Sequence, residues 1–280
     1  MKIVLSRKGF DSEYGGIPSP ILPDGRLVSF SIPSAVDCYT IGDLCVPGID
    51  VGQLASDLSR GRLGATTRVH LDPFLAPVTP AAAGWRAALG QTGAAQSHLA
   101  SQKIGPGDWF VFYGWFREAI KTAAGWRYKP GAPDIHTIFG WLEVAEVLPV
   151  VTQRDASLAR HPWIAQHPHV LRPDHYTDPR NTLYIASQGP RGAGLFSHYH
   201  PIRQLTAAGQ TRTVWSLPDW FKPTSDKPPL TYHPKSELWS ADVPGRVRLR
   251  AASKGQEFVL QADHYPQSTL WLAEILAARA

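Results

Sequence analysis

Several groups of side chains in the 280-residue sequence, the last of them Trp115-Phe116-Arg117, have the types and spacing to do chemistry. Arg7, Lys8, Asp11, Ser12 and Glu13 follow the short apolar run at positions 3–5. Two cations beside a carboxylate can hold a phosphate while the acid takes or gives a proton, although the same residues also make an ordinary solvated loop. His70 and Asp72 stand two apart, so on an extended chain both point to one side. They read as an acid/base pair, as two metal ligands, or as a structural histidine with a capping aspartate. His98 follows Gln96 on a helix face where Ala94 and Ala95 leave room for a ligand. The last group, Trp115-Phe116-Arg117, sets an arginine beside two rings, a combination that contacts a phosphate while stacking on a base. Asp11, His70 and His98 are therefore the catalytic candidates; Arg7, Lys8, Gln96, Trp115, Phe116 and Arg117 are the ligand-binding candidates. Beside two cations, Asp11 suits a base or a stabiliser of a developing sugar cation, which puts glycosidic or transfer chemistry at a nucleoside first.

His167/His169 and His198/His200 also have the spacing of paired ligands, with Asp174 and His175 nearby. Zinc needs three or four such groups converging. The His-x-His spacing alone does not supply that, so neither a metal nor a cofactor is expected. Several other chemistries lack their signatures: there is no P-loop string, no Gly-x-Gly-x-x-Gly after the first strand, no Gly-x-Ser-x-Gly elbow and no zinc-deaminase motif.

The elements that must position these groups follow from composition and pattern. Hydrophobic residues at 43% and charged residues at 18% describe an ordered globular chain, and 24 glycines with 25 prolines favour many turns. The net charge of +5 is compatible with nucleic acid, but no block of like charges forms a basic tail. Cys38 and Cys45 read as free thiols of a reducing cytoplasm. No apolar stretch is long enough for a signal peptide or a membrane span.

Residues 2–5 read as a first strand opening into a polar loop, and 26–32 and 66–71 as further strands. A helix over 51–63 is capped by Asp50, and a second covers 93–103. The aromatic run Trp109-Phe110-Val111-Phe112-Tyr113, a second element from Trp115, a turn after Trp126-Arg127-Tyr128 and a strand over 136–147 interrupted at Gly140 make a hairpin-rich centre at about 105–150. Strands are expected over 181–187 and 195–199, a closing antiparallel pair at 246–251 and 257–261, and a C-terminal helix over 266–278.

The central pattern, from Gly107-Asp108 through the strand ending in Phe112-Tyr113 to Phe139-Gly140-Trp141-Leu142-Glu143-Val144-Ala145-Glu146-Val147, resembles the PUA-like barrels of EVE and ASCH domains. That resemblance implies a small barrel with a ligand pocket. Nearly the whole chain resembles the third family of nucleotide-modification-associated domains. The residues that carry the likeness are Ser6-Arg7-Lys8-Gly9-Phe10-Asp11, Gly15-Gly16, His70-Leu71-Asp72, Gly90-Gln91, Gln96 with His98, Gly107-Asp108, Gly114 with Phe116-Arg117, His167-Pro168-His169 and Asn181-Thr182-Leu183-Tyr184. It implies an association with DNA base-modification systems of phages and bacteria, and no settled reaction.

The sequence thus leads to one α+β domain over 1–280, a PUA-like mixed β-barrel elaborated with flanking helices and long loops. Its expected partner is a nucleotide or nucleic acid, chiefly DNA, and no membrane. Acting on a modified nucleotide or base is the first function expected. The alternatives are a non-catalytic reader with an aromatic pocket and a structural component of a modification or defence system.

Overall fold

The computed structural model describes residues 1–252 and 257–278. The first apolar run forms β1 (Ile3–Arg7), and the polar loop after it holds a short strand, β2 (Ser19–Ile21). Helix α1 (Val51–Ser59) starts where Asp50 accepts a hydrogen bond from the Gln53 N–H, and it stops at Arg60, whose φ of 58° is left-handed. Its apolar face, Val51, Leu54, Ala55 and Leu58, packs on Phe10, Ile17, Val28 and Phe30. At about 1.5–3 kcal/mol for each large side chain buried, this satellite core holds the long loop in place. Strand β3 (Ala88–Gln91) runs straight into α2 (Gly93–Ser101).

The aromatic centre is β4 (Trp109–Thr122), β5 (Gly125–Tyr128) folded back on its end, and β6 (Ile135–Pro149). Two short helices, α3 (Arg154–Arg160) and α4 (Pro168–Leu171), lead to β7 (Thr182–Ala186) and β8 (Ala193–Leu195). There follow β9 (Val214–Pro218), β10 (Trp239–Ala241), β11 (Arg246–Arg250), β12 (Glu257–Leu260) and α5 (Gln267–Ala277), which buries Trp271, Leu272 and Ile275.

Nine strands make one mixed sheet along the path β12-β1-β4-β6-β7-β3, with β2 and β5 added to β4 and β8 to β6. β1 runs parallel to β4 and antiparallel to β12, which is why Ile3, Val4 and Leu5 are wholly buried. The class is α+β, but the expected closed barrel does not form. Among the described residues no backbone ladder joins β12 to β3. The sheet nevertheless curls: laid flat, five strand spacings of about 4.8 Å would hold its edges ~24 Å apart. Instead, Gln91 Nε2 at the end of β3 donates a hydrogen bond to Glu257 Oε1 at the start of β12. Inside the curl, Phe110 on β4 and Tyr184 on β7 meet edge-on at 5.1 Å.

Other expectations also shift. Strand β4 runs unbroken through Gly114, and the interruption at Gly140 is a bulge: Gly140 faces Phe112, Ile138 faces Tyr113, and Phe139 is the extra residue between. Segments 26–32 and 66–71 form isolated bridges and not strands, because their donors go to scattered acceptors, Leu27 to Ser197, Val28 to Pro20, Val69 to Tyr39 and His70 to Ile32. The expected closing pair separates. β11 joins β9 and β10 in a three-stranded sheet, while β12 pairs with β1. The strand expected at 195–199 ends at Leu195.

Candidate functional site

A cleft of about 470 Å³ opens where the ends of the curled sheet meet. Arg7 and Lys8 reach it from the end of β1, and Gly90 and Gln91 from the end of β3. Loops add Asp11, Asp37, His70 and Asp72, and the region of α4 adds His169 and Tyr176.

One wall is a buried charge network. Glu257 lies opposite Ser6 in the β1–β12 ladder, and Lys8, two residues beyond Ser6, follows on the same side of the chain. Lys8 Nζ stands 3.3 Å from Glu257 Oε1 and 4.0 Å from Asp72 Oδ2, with all three side chains almost out of solvent. Buried charges of this kind persist only when paired. The Lys8 backbone is clamped by its N–H to Tyr113 O at 2.9 Å, and a Cβ at Gly114 would come within 2.9 Å of Lys8 O. Asp72 Oδ1 accepts the Gly90 N–H at 2.7 Å and faces His167 Nε2 at 3.4 Å. Burial pushes the Asp72 carboxyl up, but His167 and the Lys8 charge reverse this and hold it well below the usual carboxylate range. Glu257 Oε2 and Ser6 Oγ, both buried, have no hydrogen-bond partner among the described residues.

The facing wall is a stack of rings. His70 and His169 lie 5.1 Å apart, and Tyr176 stacks on them at 5.7 and 4.6 Å. His70 Nδ1 is 3.1 Å from Asp37 Oδ2, which also accepts from Ser34 Oγ at 2.5 Å and Tyr176 O–H at 3.0 Å. Burial pushes Asp37 up, yet these bonds, that of His70 foremost, hold it below its ordinary value. An ionised carboxylate only accepts, so His70 carries its proton on Nδ1. His169 Nδ1 lies 2.7 Å from Asn181 Oδ1, whose amide nitrogen is tied to His169 O at 2.9 Å. His169 therefore also donates from Nδ1, and burial pushes its pKa down to about 3. In both rings Nε2 keeps its lone pair. His167 is the reverse: its Nδ1 accepts the His169 N–H at 3.2 Å, which leaves the proton on Nε2, 3.4 Å from Asp72 Oδ1 but without a hydrogen-bond partner among the described residues.

The ring of His169 fits only because position 90 has no side chain, since a Cβ there would fall inside it. A ring nitrogen of His70, a ring nitrogen of His169 and an oxygen of Asp72 lie within 4.8 Å of one another, the one such three-ligand set among the described residues.

Of the catalytic and ligand-binding candidates read from the sequence, Arg7, Lys8, Asp11 and His70 line this cleft, and His98, Gln96, Trp115, Phe116 and Arg117 do not. Asp11 Oδ1 accepts the Glu13 and Tyr14 N–H groups at 2.8 and 2.7 Å, bracing its own turn. His98 lies on α2 with Nε2 3.3 Å from Thr231 Oγ1, and burial lowers its pKa. Gln96 is buried, accepting the Tyr184 hydroxyl at 3.1 Å. Trp115 sits under the Arg212 guanidinium at 4.2 Å, Phe116 is wholly buried, and Arg117 lies over the Tyr128 ring, 3.9 Å from Asp134. Asp37, Tyr176 and Glu257 had no local signal. Asp72 and His169 did, Asp72 as the partner of His70 and His169 within the His167/His169 pair, but nothing in the spacing joined them. His198 and His200 spend their Nδ1 atoms on Ser197 Oγ and the Ile202 N–H.

These features define an α+β protein with an ion-paired, histidine-walled cleft at the seam of a curled mixed sheet. The chain belongs to the nucleotide modification associated domain 3 family, whose model matches residues 2–261 and so takes in every residue of the cleft. No curated protein and no solved structure gives a match. Among the described residues no helix is long and apolar enough to cross a membrane.

Proposed function

We propose that the protein is a catalyst that alters a nucleotide or its base, free or in DNA, within a base-modification system of the kind phages and bacteria carry. The observation that supports this is the make-up of the cleft. Arg7, Lys8, Asp11, Asp37, His70, Asp72 and His169 line it, and among the described residues the only rings there besides the two imidazoles are those of Tyr14 and Tyr176. A reader that holds a flipped base needs stacking walls and few titratable groups. In this reading Arg7 faces the phosphate, and Lys8, paired to Glu257, adds its charge to the same wall. His70, held through Nδ1 by Asp37, takes a proton on its free Nε2, with Asp11 as a second acid or base. A glycosidic or transfer step at a nucleoside is the first reaction to test. The exposed thiols of Cys38 and Cys45 fit a reducing compartment.

The test is incubation with a panel of nucleotides and modified-base DNA, read by mass spectrometry. The wild type alters at least one compound, and His70→Asn slows this by about 100-fold or more while retaining the compound. Retention of a compound that is never altered would replace the catalyst with a reader.

A further inference from the structure

We propose that His70, Asp72 and His169 bind one divalent transition-metal ion, of the zinc, iron(II) or manganese(II) class, at the floor of the cleft. The inference rests on the catalytic reading for its reaction class but stands on separate observations; with the ion bound, His70 Nε2 is a ligand and the proton step falls to Asp11. The three ligand-type atoms already lie within 4.8 Å of one another. Both rings are prepared in the same way. Nδ1 is engaged by an acceptor behind it, Asp37 for His70 and Asn181 for His169, and Nε2 is the nitrogen left for a ligand. Metal-binding histidines are oriented by such outer partners. Asp72 is oriented too, by the Gly90 N–H, and position 90 lacks the side chain that would displace the His169 ring. His167 is excluded from the set, because its Nδ1 is taken by the His169 N–H and its Nε2 then carries the proton, which leaves no lone pair for an ion.

Charge supports the same conclusion. Three carboxylates, Asp11, Asp37 and Asp72, line the cleft against the cations Arg7 and Lys8, and Lys8 is already committed to Glu257. An incoming phosphate would meet a surplus of negative charge that a bound dication reverses. Two imidazoles with one carboxylate favour a borderline transition ion over magnesium or calcium, which take oxygen ligands. Three protein ligands leave open positions for water or substrate.

The experiment strips the purified full-length protein with a chelator and titrates it with Zn²⁺ and, as a spectroscopic probe, Co²⁺. One equivalent binds, and Co²⁺ gives visible bands of four- or five-fold coordination. His70→Ala weakens binding by at least ~100-fold, Asn181→Ala by about 10–100-fold, and His198→Ala leaves it unchanged. Far-UV circular dichroism accompanies each variant; because His169→Ala and Asp72→Asn remove buried groups, the wild-type titration and the half-buried His70 carry the decision. No stoichiometric binding by the wild type, or binding that survives His70→Ala, overturns the site. The two readings fail separately. Stoichiometric metal with no altered nucleotide leaves the site and removes the catalyst, whereas turnover undiminished in chelator does the opposite.

Discussion

Gln91 and Glu257 come from opposite ends of the nine-stranded sheet and share a hydrogen bond, with Lys8 paired to the same carboxylate oxygen at 3.3 Å. The network that lines the cleft is thereby also what draws the sheet edges together. Removing one partner from a buried ion pair costs more than removing both, because a lone charge stays behind. Lys8→Met should lower stability by about 3–5 kcal/mol in urea unfolding, and adding Glu257→Gln should restore much of it. Equal losses in the single and double variants would mean that the charges do not act as a pair.

Gly90→Ala should cost about 1–3 kcal/mol and weaken Zn²⁺ binding, since the new methyl group competes with the His169 ring for one volume. Gly64→Ala, which meets nothing within 4 Å, is the control and should stay within about 0.5 kcal/mol of wild type. Identical urea midpoints for the two variants would remove the close-approach argument.

Stability should fall as the solution is made mildly acid. Burial pushes His136 down to about 3, His169 to about 3 and His233 to about 4 in the folded protein. The unfolded chain takes up these protons near the ordinary value of about 6.5. Below that value the unfolded state binds more protons, so stability is level above pH ~6.5 and drops as the pH falls, to about 4 for His233 and about 3 for His136 and His169. The drop is about 1.4 kcal/mol per pH unit for each such histidine. His136→Gln should make the slope shallower, and a urea midpoint that does not move between pH 7 and pH 5 would contradict the assignment.

Trp115→Ala should lower the urea midpoint, because the ring packs under Arg212, yet leave nucleotide retention within about two-fold, since Trp115 lies outside the cleft. Retention that falls ten-fold in a folded variant would move the stacking surface to β4.

What could be read from the sequence was local. Asp50 announced α1, the apolar run at 3–5 announced β1, and Arg7, Lys8 and His70 were marked by type and by the loops that bear them. Partners were not legible. Strand patterns over 246–251 and 257–261 look alike as an adjacent pair, and only the competition of β9 and β1 for their edges sends them to different sheets. The second half of the cleft is illegible for the same reason. His169 and Glu257 reach Asp72 and Lys8 through the curl of the sheet, and no spacing along the chain encodes a curl. Phe116 looked like a ligand-facing ring, but burial on β4 made it core.

The pairing of β1 with the last strand of the sheet also bears on how the protein is made. Gln91 and Glu257 are 166 positions apart, and Lys8 is further still from its carboxylate. At roughly 5–20 residues per second, a ribosome needs on the order of 10–50 s between releasing β1 and releasing β12. Throughout that interval β1 has a bare edge and Lys8 lacks its Glu257 counter-charge, so the nascent chain presents an open strand to any neighbour. Synthesis is then the stage at which this protein most needs a chaperone, and chains that stop short of β12 are the ones expected to aggregate.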